Sequence, residues 1–587
     1  MIKWNNCLSH LLKHMVMPLY GNCIFFIFTF LVVIIESEIE HFNYKPKYIE
    51  AFIDIYFLCL IINLFKKNTR IFVRIGFTIL IYIFATAQFF CFHFFGTIIT
   101  PTVIQIVSET NMSETSNFFD TYVTSDLLTS RIMIFPVLLI LHSIAVLLEK
   151  KLLQTDLIIK MNTFLGCVIL TTLSLGCNSY IKNKYHFAEL ILKDDIYEIE
   201  KSRNNTFGDG MYSPFYNIIY SVRANQLAYR QIDRLISISS KTNKVQCKSK
   251  TKNIVLVIGE SYNKHHSQLY GYDYETTPNQ VARQKKGELY PFYNVLSPWN
   301  LTSNAFRHLF SLYSYGDEKD WSFYPLFPAL FKSAGYTVFF LSSQFAEKNS
   351  GDTSNFAGGF FINNKVLSDY LFSYRNKYNH SYDDGLIKDY FTLRSHATSN
   401  NLFIFHLVGQ HYSYNNRYPR ENRKFTSSVY KNIRINKQKK EIVADYDNAT
   451  LYNDYILNEI IKLFEDKDCI LVFLSDHGEE VYDDGNFVGR RHPSKLTQTI
   501  AKYEFEIPFW IWCSETYKKN NPNIIKEIKK SLNKKSMSDD LPHLLLYIGG
   551  IESPDYRADH NIISPEYHQQ RPRLLRGNEE YDTLLKR

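Results

Sequence analysis

The stretch 253-NIVLVIGESYNKHHSQLYGYDYETTP-278 carries the strongest fold signal in the chain. Its opening run, Ile254-Val255-Leu256-Val257-Ile258, is unbroken, aliphatic and mostly β-branched. That length and composition suit a strand buried on both faces of a parallel sheet. The run breaks at Gly259 and delivers a carboxylate, Glu260. In open α/β sheets ligands bind just beyond the carboxyl ends of strands, which is where Glu260 falls. A solvated glutamate at a strand end accounts for this stretch, taken alone, equally well.

Downstream, apolar runs at Tyr336–Leu341, Leu402–Leu407, Cys469–Leu474 and Ile507–Cys513 alternate with helical patterns at Tyr324–Ala334 and Glu441–Phe464. Such alternation predicts an α/β domain with a mostly parallel central sheet, residues 251–587. Other strand ends are polar as well. CILVFLSDHGEE stops at Asp476-His477, and both residue types are good zinc ligands that a turning backbone can aim at one site. An Asp-His pair is common without function; Glu260 at the end of a second strand raises its significance. LFIFHLVGQHYSY places His406 inside an apolar run, the usual setting of a core histidine, and His411 beyond the Gly409 break, a better place for a site residue. His492 follows in VGRRHPS. A hydroxyl nucleophile is available in LSPWNLTSNAFRHLFSLYS, where Thr302 and Ser303 lead into a helical pattern. A helix N-terminus offers unpaired N–H groups to an anion, so a threonine there suits attack at phosphorus. Plain N-capping explains the same residues.

At 587 residues the chain exceeds a single compact core, and its first third has a different composition. Five apolar segments lie near Leu19–Ile35, Ala51–Phe65, Ile71–Phe95, Ile132–Leu148 and Leu157–Cys177, the second short and containing Asp54. A signal peptide would explain only the first, and no small-residue cleavage site stands near it. The expectation is a five-helix transmembrane domain, residues 1–182. Lys3, Lys13, Lys66, Lys67, Arg70, Arg74, Lys150 and Lys151 fall in alternate loops. The intervening loops carry Glu36, Glu38, Glu40, Glu50, Glu109, Glu114, Asp120 and Asp126. The positive-inside rule then puts the N-terminus in the cytoplasm and everything after Cys177 outside. Within the long third loop, IQIVSETNMSETSNFF aligns Ile104, Val107, Met112, Phe118 and Phe119 as an interfacial piece, more readily an anchor than a site. Residues 183–250 form a connector with an amphipathic helix over Ser213–Ile238.

The formal charge of +8 comes without a Lys/Arg block interleaved with aromatics, which sets nucleic-acid binding aside. Six of nine cysteines lie in the apolar third as small hydrophobes, and Cys247, Cys469 and Cys513 show no C-x-x-C spacing and cannot build a disulfide framework.

IGESYNKHHSQLYGYDYETTP, LSPWNLTSNAF, IFHLVGQHYSYNNRYP, DYDNATLYNDYIL, FLSDHGEE and RRHP occur in the order and spacing of the bacterial phosphoethanolamine transferases. These are inner-membrane enzymes of the alkaline phosphatase/sulfatase superfamily, and SETNMSE and the five-span start resemble that family too. The resemblance implies a zinc (Zn2+) shell of Glu260, Thr302, Asp476 and His477, with Thr302 the nucleophile that carries phosphoethanolamine. It implies phosphoryl contacts for His406, His411 and His492, with His411 or His492 moving protons, and places Thr110 and Glu114 near the lipid entrance. The implied donor is phosphatidylethanolamine, and the implied acceptor is lipid A or the lipopolysaccharide core. The implied setting is the inner membrane, among membrane lipids, with a periplasmic catalytic domain and a monomeric chain. Ser261 stands where many members have Thr, and three cysteines replace the several disulfides of some members. A sulfatase would need C/S-x-P-x-R, which Ser297-Pro298-Trp299-Asn300-Leu301-Thr302 does not supply. A glycerophosphate polymerase of the same superfamily and a non-catalytic membrane-anchored sensor are the alternative readings.

Overall fold

The structure, a computed structural model, describes residues 18–19, 21–39, 48–95, 99, 101, 103–104, 131–152, 155–194, 199, 215–241, 245–248, 251–345, 361–432, 434–491, 496–576 and 579–586. The chain divides into two compact units, Met1–Ala228 and Tyr229–Arg587.

The first unit is helical. Its apolar segments form α1 (Cys23–Ile39), α2 (Tyr48–Asn63), α3 (Lys67–Phe95), α4 (Ile134–Leu152) and α5 (Thr155–Leu192). Among the described residues two stretches are long and apolar enough to cross a bilayer, Asn68–Cys91 and Arg131–Leu148. Large apolar side chains such as Phe72, Leu147 and Phe164 stay mostly exposed. Several polar groups inside the bundle are partnered with one another. Gln88 donates to Glu36 at 2.7 Å, and Asp54 accepts from Tyr180 at 2.6 Å and Tyr216 at 2.9 Å while pairing with Lys184 at 2.6 Å. Unpaired, such groups would be costly in apolar surroundings. The connector's helix, α6, runs from Phe215 to Ser239, and the division between the units falls within it.

The second unit is built on a seven-stranded sheet. Its strands are β1 (Asn253–Gly259), β2 (Leu289–Phe292), β3 (Thr337–Ser342), β4 (Tyr374–Arg375), β5 (Asn401–His406), β6 (Cys469–Ser475) and β7 (Phe509–Cys513). Their spatial order is β2-β7-β6-β1-β5-β3-β4, with β7 antiparallel to both its neighbours and the other strand pairs parallel. The aliphatic run of β1 therefore sits between β6 and β5, and Ile254–Ile258 are fully buried, each side chain contributing about 1.5–3 kcal/mol. Stacked rings fill the layer below, Phe339 on Phe403 at 4.5 Å and Phe473 on Trp510 at 4.9 Å. Helix α7 (Thr302–Phe310) follows β2, and the long α8 (Lys437–Lys462) precedes β6. Asn436 caps α8, its side chain accepting from Lys439 N–H at 2.8 Å.

Candidate active site and metal centre

Register brings two carboxylates together. Ile258 lies opposite Leu474 and Gly259 opposite Ser475, so Glu260 and Asp476 leave adjacent strands at the same level. Asp476 N–H donates to Gly259 O at 3.1 Å, continuing the ladder one step further. The chain then turns sharply at Ser261, whose φ of +56° lies in the left-handed region that serine seldom adopts. Three bonds hold it there. Its N–H donates to Asp476 Oδ1 at 3.1 Å, its hydroxyl donates to Glu260 Oε1 at 2.8 Å, and its carbonyl accepts from Tyr446 on α8 at 2.6 Å.

Two glycines let other segments approach. A Cβ on Gly478 would come 2.3 Å from Tyr503 O, so only glycine lets the chain pass directly after His477. Gly409 has φ +46°, and a Cβ there would meet Glu260 O at 3.0 Å. The loop after β5 thus packs on the backbone of Glu260, held by Asp383, which accepts from Val408 N–H at 2.8 Å and Gly409 N–H at 3.0 Å.

Thr302 is the first residue of α7, and the capping position belongs to Leu301, which makes no side-chain cap bond. The N-capping alternative is therefore not what the hydroxyl does. Thr302 Oγ1 lies 3.2 and 3.1 Å from the two Glu260 oxygens and 3.2 Å from His477 Nε2. His477 Nδ1 donates to Gly478 O at 2.8 Å, which leaves the Nε2 lone pair facing inward. That nitrogen is 3.4 Å from Glu260 Oε1 and 3.2 Å from Asp476 Oδ2. Glu260, Asp476 and His477 are all fully buried, and Asp476 Oδ2 has no hydrogen-bond partner.

Burial and the neighbouring Glu260 push Asp476 up to about 7. For Glu260 burial alone would raise the pKa, but contact with His477 and the neighbouring positive charge of Arg490 hold it well below the usual range. Two carboxylates this close do not both ionise without a cation between them. The donor set fits one: Glu260, Asp476 and His477 each offer a ligand atom, all within 4.8 Å of one another. Two oxygens, a nitrogen whose other ring atom is fixed by a carbonyl, and an adjacent hydroxyl suit a tetrahedral zinc.

His406 ends β5, enclosed by the Phe306 and Phe345 rings, with Nδ1 2.9 Å from Ser342 Oγ and burial lowering its pKa to about 4. Gln344 links it to the centre, its Nε2 3.3 Å from His406 Nε2 and 3.4 Å from Glu260 Oε2. His411 is half-buried beyond Gly409, its backbone N–H donating to Val408 O at 3.1 Å. His492, Thr110 and Glu114 lie outside the described residues. Two site residues had gone unnoticed in the sequence. One is Gln344; the other is Arg490, whose Nη1 donates to His477 Nε2 at 2.8 Å.

Residues 252–551 match the sulfatase family model, so the mixed sheet and its polar strand ends define a protein of the sulfatase class. The model for phosphoethanolamine transferase EptA/EptB matches residues 55–192. Phosphoethanolamine transferase EptC of Escherichia coli is 26% identical over 506 residues, 84% of this chain and 83% of that protein. EptA of Helicobacter pylori is 31% identical over 276 residues, 46% of this chain and 49% of that protein. The crystal structure of the C-terminal periplasmic domain of Escherichia coli EptC in complex with Zn superimposes with a TM-score of 0.50 at 25% identity, covering 58% of this chain and 96% of that one. The chain belongs to the phosphoethanolamine transferases of the sulfatase class and is an enzyme.

Proposed function

We propose that the protein transfers phosphoethanolamine from phosphatidylethanolamine to an envelope glycolipid, lipid A or the lipopolysaccharide core, through a covalent intermediate on Thr302. The observation that carries this reading is Thr302 Oγ1 within 3.2 Å of both Glu260 and His477, beside the unpartnered Asp476 Oδ2. Glu260, Asp476 and His477 would hold a zinc ion. Zinc bound there supplies positive charge that favours the ionised form of a neighbouring hydroxyl.

The α7 N-terminus positions Thr302 with backbone N–H groups directed to an incoming anion. Thr302 Oγ bonds to phosphorus as the bond from phosphorus to the diacylglycerol oxygen breaks, and the threonine proton ends on that oxygen. An acceptor oxygen then takes the group, and Thr302 regains a proton from the acceptor. His411, half-buried on the loop that Asp383 fixes, would shuttle these protons, and His492 would share that role. His406 and Gln344 fix the Glu260 carboxylate from the far side.

All five N-terminal helices are proposed to span the inner membrane, with residues 251–587 periplasmic and residues 183–250 as connector. Support comes from the alternating charge of the loops, the apolar outward side chains and the partnered buried polar groups. Thr110 and Glu114 would stand near the lipid entrance, and the chain would act as a monomer. The test compares envelope glycolipids by mass spectrometry in cells carrying the wild-type or the Thr302→Ala protein. Phosphoethanolamine on a glycolipid only with the wild type is expected; its persistence with Thr302→Ala would refute the reading.

A further inference from the structure

Arg490 is a cation placed inside the cluster but outside its ligand set. Nη1 donates to His477 Nε2 at 2.8 Å, and Nε faces Glu479 Oε2 at 3.3 Å. Glu479 is itself buried, and its other oxygen accepts from the Tyr414 hydroxyl. A tyrosine thus fixes a carboxylate, the carboxylate holds the guanidinium from behind, and the front edge is turned to the nitrogen that also lies 3.2 Å from Thr302 Oγ1.

This placement answers a charge problem. A phosphodiester entering beside Glu260 and Asp476 meets two carboxylates, and transfer spreads further negative charge over its non-bridging oxygens. A planar guanidinium is the side chain whose donors match those oxygens in pairs. The present partner of Nη1 is one that a metal would claim. His477 Nε2 has one lone pair and cannot serve the guanidinium and a metal at once, so a metal held by Glu260, Asp476 and His477 would leave the Arg490 N–H groups to another acceptor next to Thr302.

We propose that Arg490 is the phosphate-binding catalytic residue of the site, donating to the non-bridging oxygens of the transferring phosphoryl group and occupying His477 Nε2 only in the metal-free protein. The proposal rests on the transferase reading for the identity of the phosphodiester, and the experiment separates the two. Full-length, zinc-loaded wild-type, Arg490→Gln and Arg490→Lys proteins are titrated calorimetrically with inorganic phosphate, with zinc content and zinc affinity measured on the same samples. Loading of Thr302 from phosphatidylethanolamine is followed in parallel by mass spectrometry.

Arg490→Gln should keep the wild-type zinc stoichiometry, with an affinity at least as high because a competitor for His477 is gone. Its phosphate affinity should fall about 10- to 100-fold, the worth of one or two charge-assisted hydrogen bonds, and its Thr302 loading should slow. Arg490→Lys should recover part of both. Unchanged phosphate affinity in Arg490→Gln would overturn the proposal, as would loss of zinc, which would make Arg490 a support of the metal centre. A wild-type protein that binds phosphate through Arg490 but never loads Thr302 would refute the transferase reading alone.

Discussion

Asp476 is fully buried, with Oδ2 lacking a hydrogen-bond partner and Glu260 beside it, and its carboxyl is pushed up to about 7. Without a cation, its charge opposes folding; with one, it becomes a ligand. Asp476→Asn should therefore unfold in chelator at the wild-type temperature or above it. Saturating zinc at about 100 times its Kd should stabilise the wild type by about 2.7 kcal/mol and leave the variant unmoved. Thermal unfolding with and without zinc checks this, and an equal zinc shift in both proteins would remove Asp476 from the ligand set. Glu260 and Asp476-His477 were legible because each ends an aliphatic run, so the sequence itself marks them as strand-end residues. Thr302 was legible only as a choice between cap and nucleophile, which the Leu301 cap decides against capping. Arg490 left no such mark. It follows the short strand Val488–Gly489, which pairs antiparallel with Glu480–Val481, and its importance comes from a contact with Glu479 that no periodicity records.

The end of β1 is the element on which the site depends. Ser261 pairs a left-handed backbone with a hydroxyl bonded to Glu260, and these contributions can be separated. Ser261→Ala keeps the strained φ and loses the bond; Ser261→Gly loses the bond and relaxes the backbone. Urea unfolding should place the glycine variant above the alanine variant by about 1 kcal/mol. Equal stabilities would mean the turn is unstrained. The long strands β1, β3, β5, β6 and β7 each follow from an apolar run within two residues of the expected bounds. β2 and β4 did not. β2 contains Pro291, which a central strand would exclude and an edge strand tolerates, and β4 is two residues long and carries no pattern.

At the scale of the whole molecule, a catalytic unit proposed to draw its donor from a bilayer needs an anchor in that bilayer. The α/β unit Tyr229–Arg587, produced alone, should bind zinc but fail to take the head group from phosphatidylethanolamine in vesicles. Equal labelling by the fragment and the full chain would show that the helices are dispensable. The five apolar segments reappear as five helices because runs of Phe, Ile and Leu need no partner strand to be recognised. The central claim is that one threonine hydroxyl carries the group between two lipids. Full-length, zinc-loaded protein incubated with vesicles of head-group-labelled phosphatidylethanolamine, then digested and mapped by mass spectrometry, tests it most directly. A single labelled phosphoethanolamine on Thr302, absent in chelator, is the expected result; label on another residue, or none at all, would contradict the account.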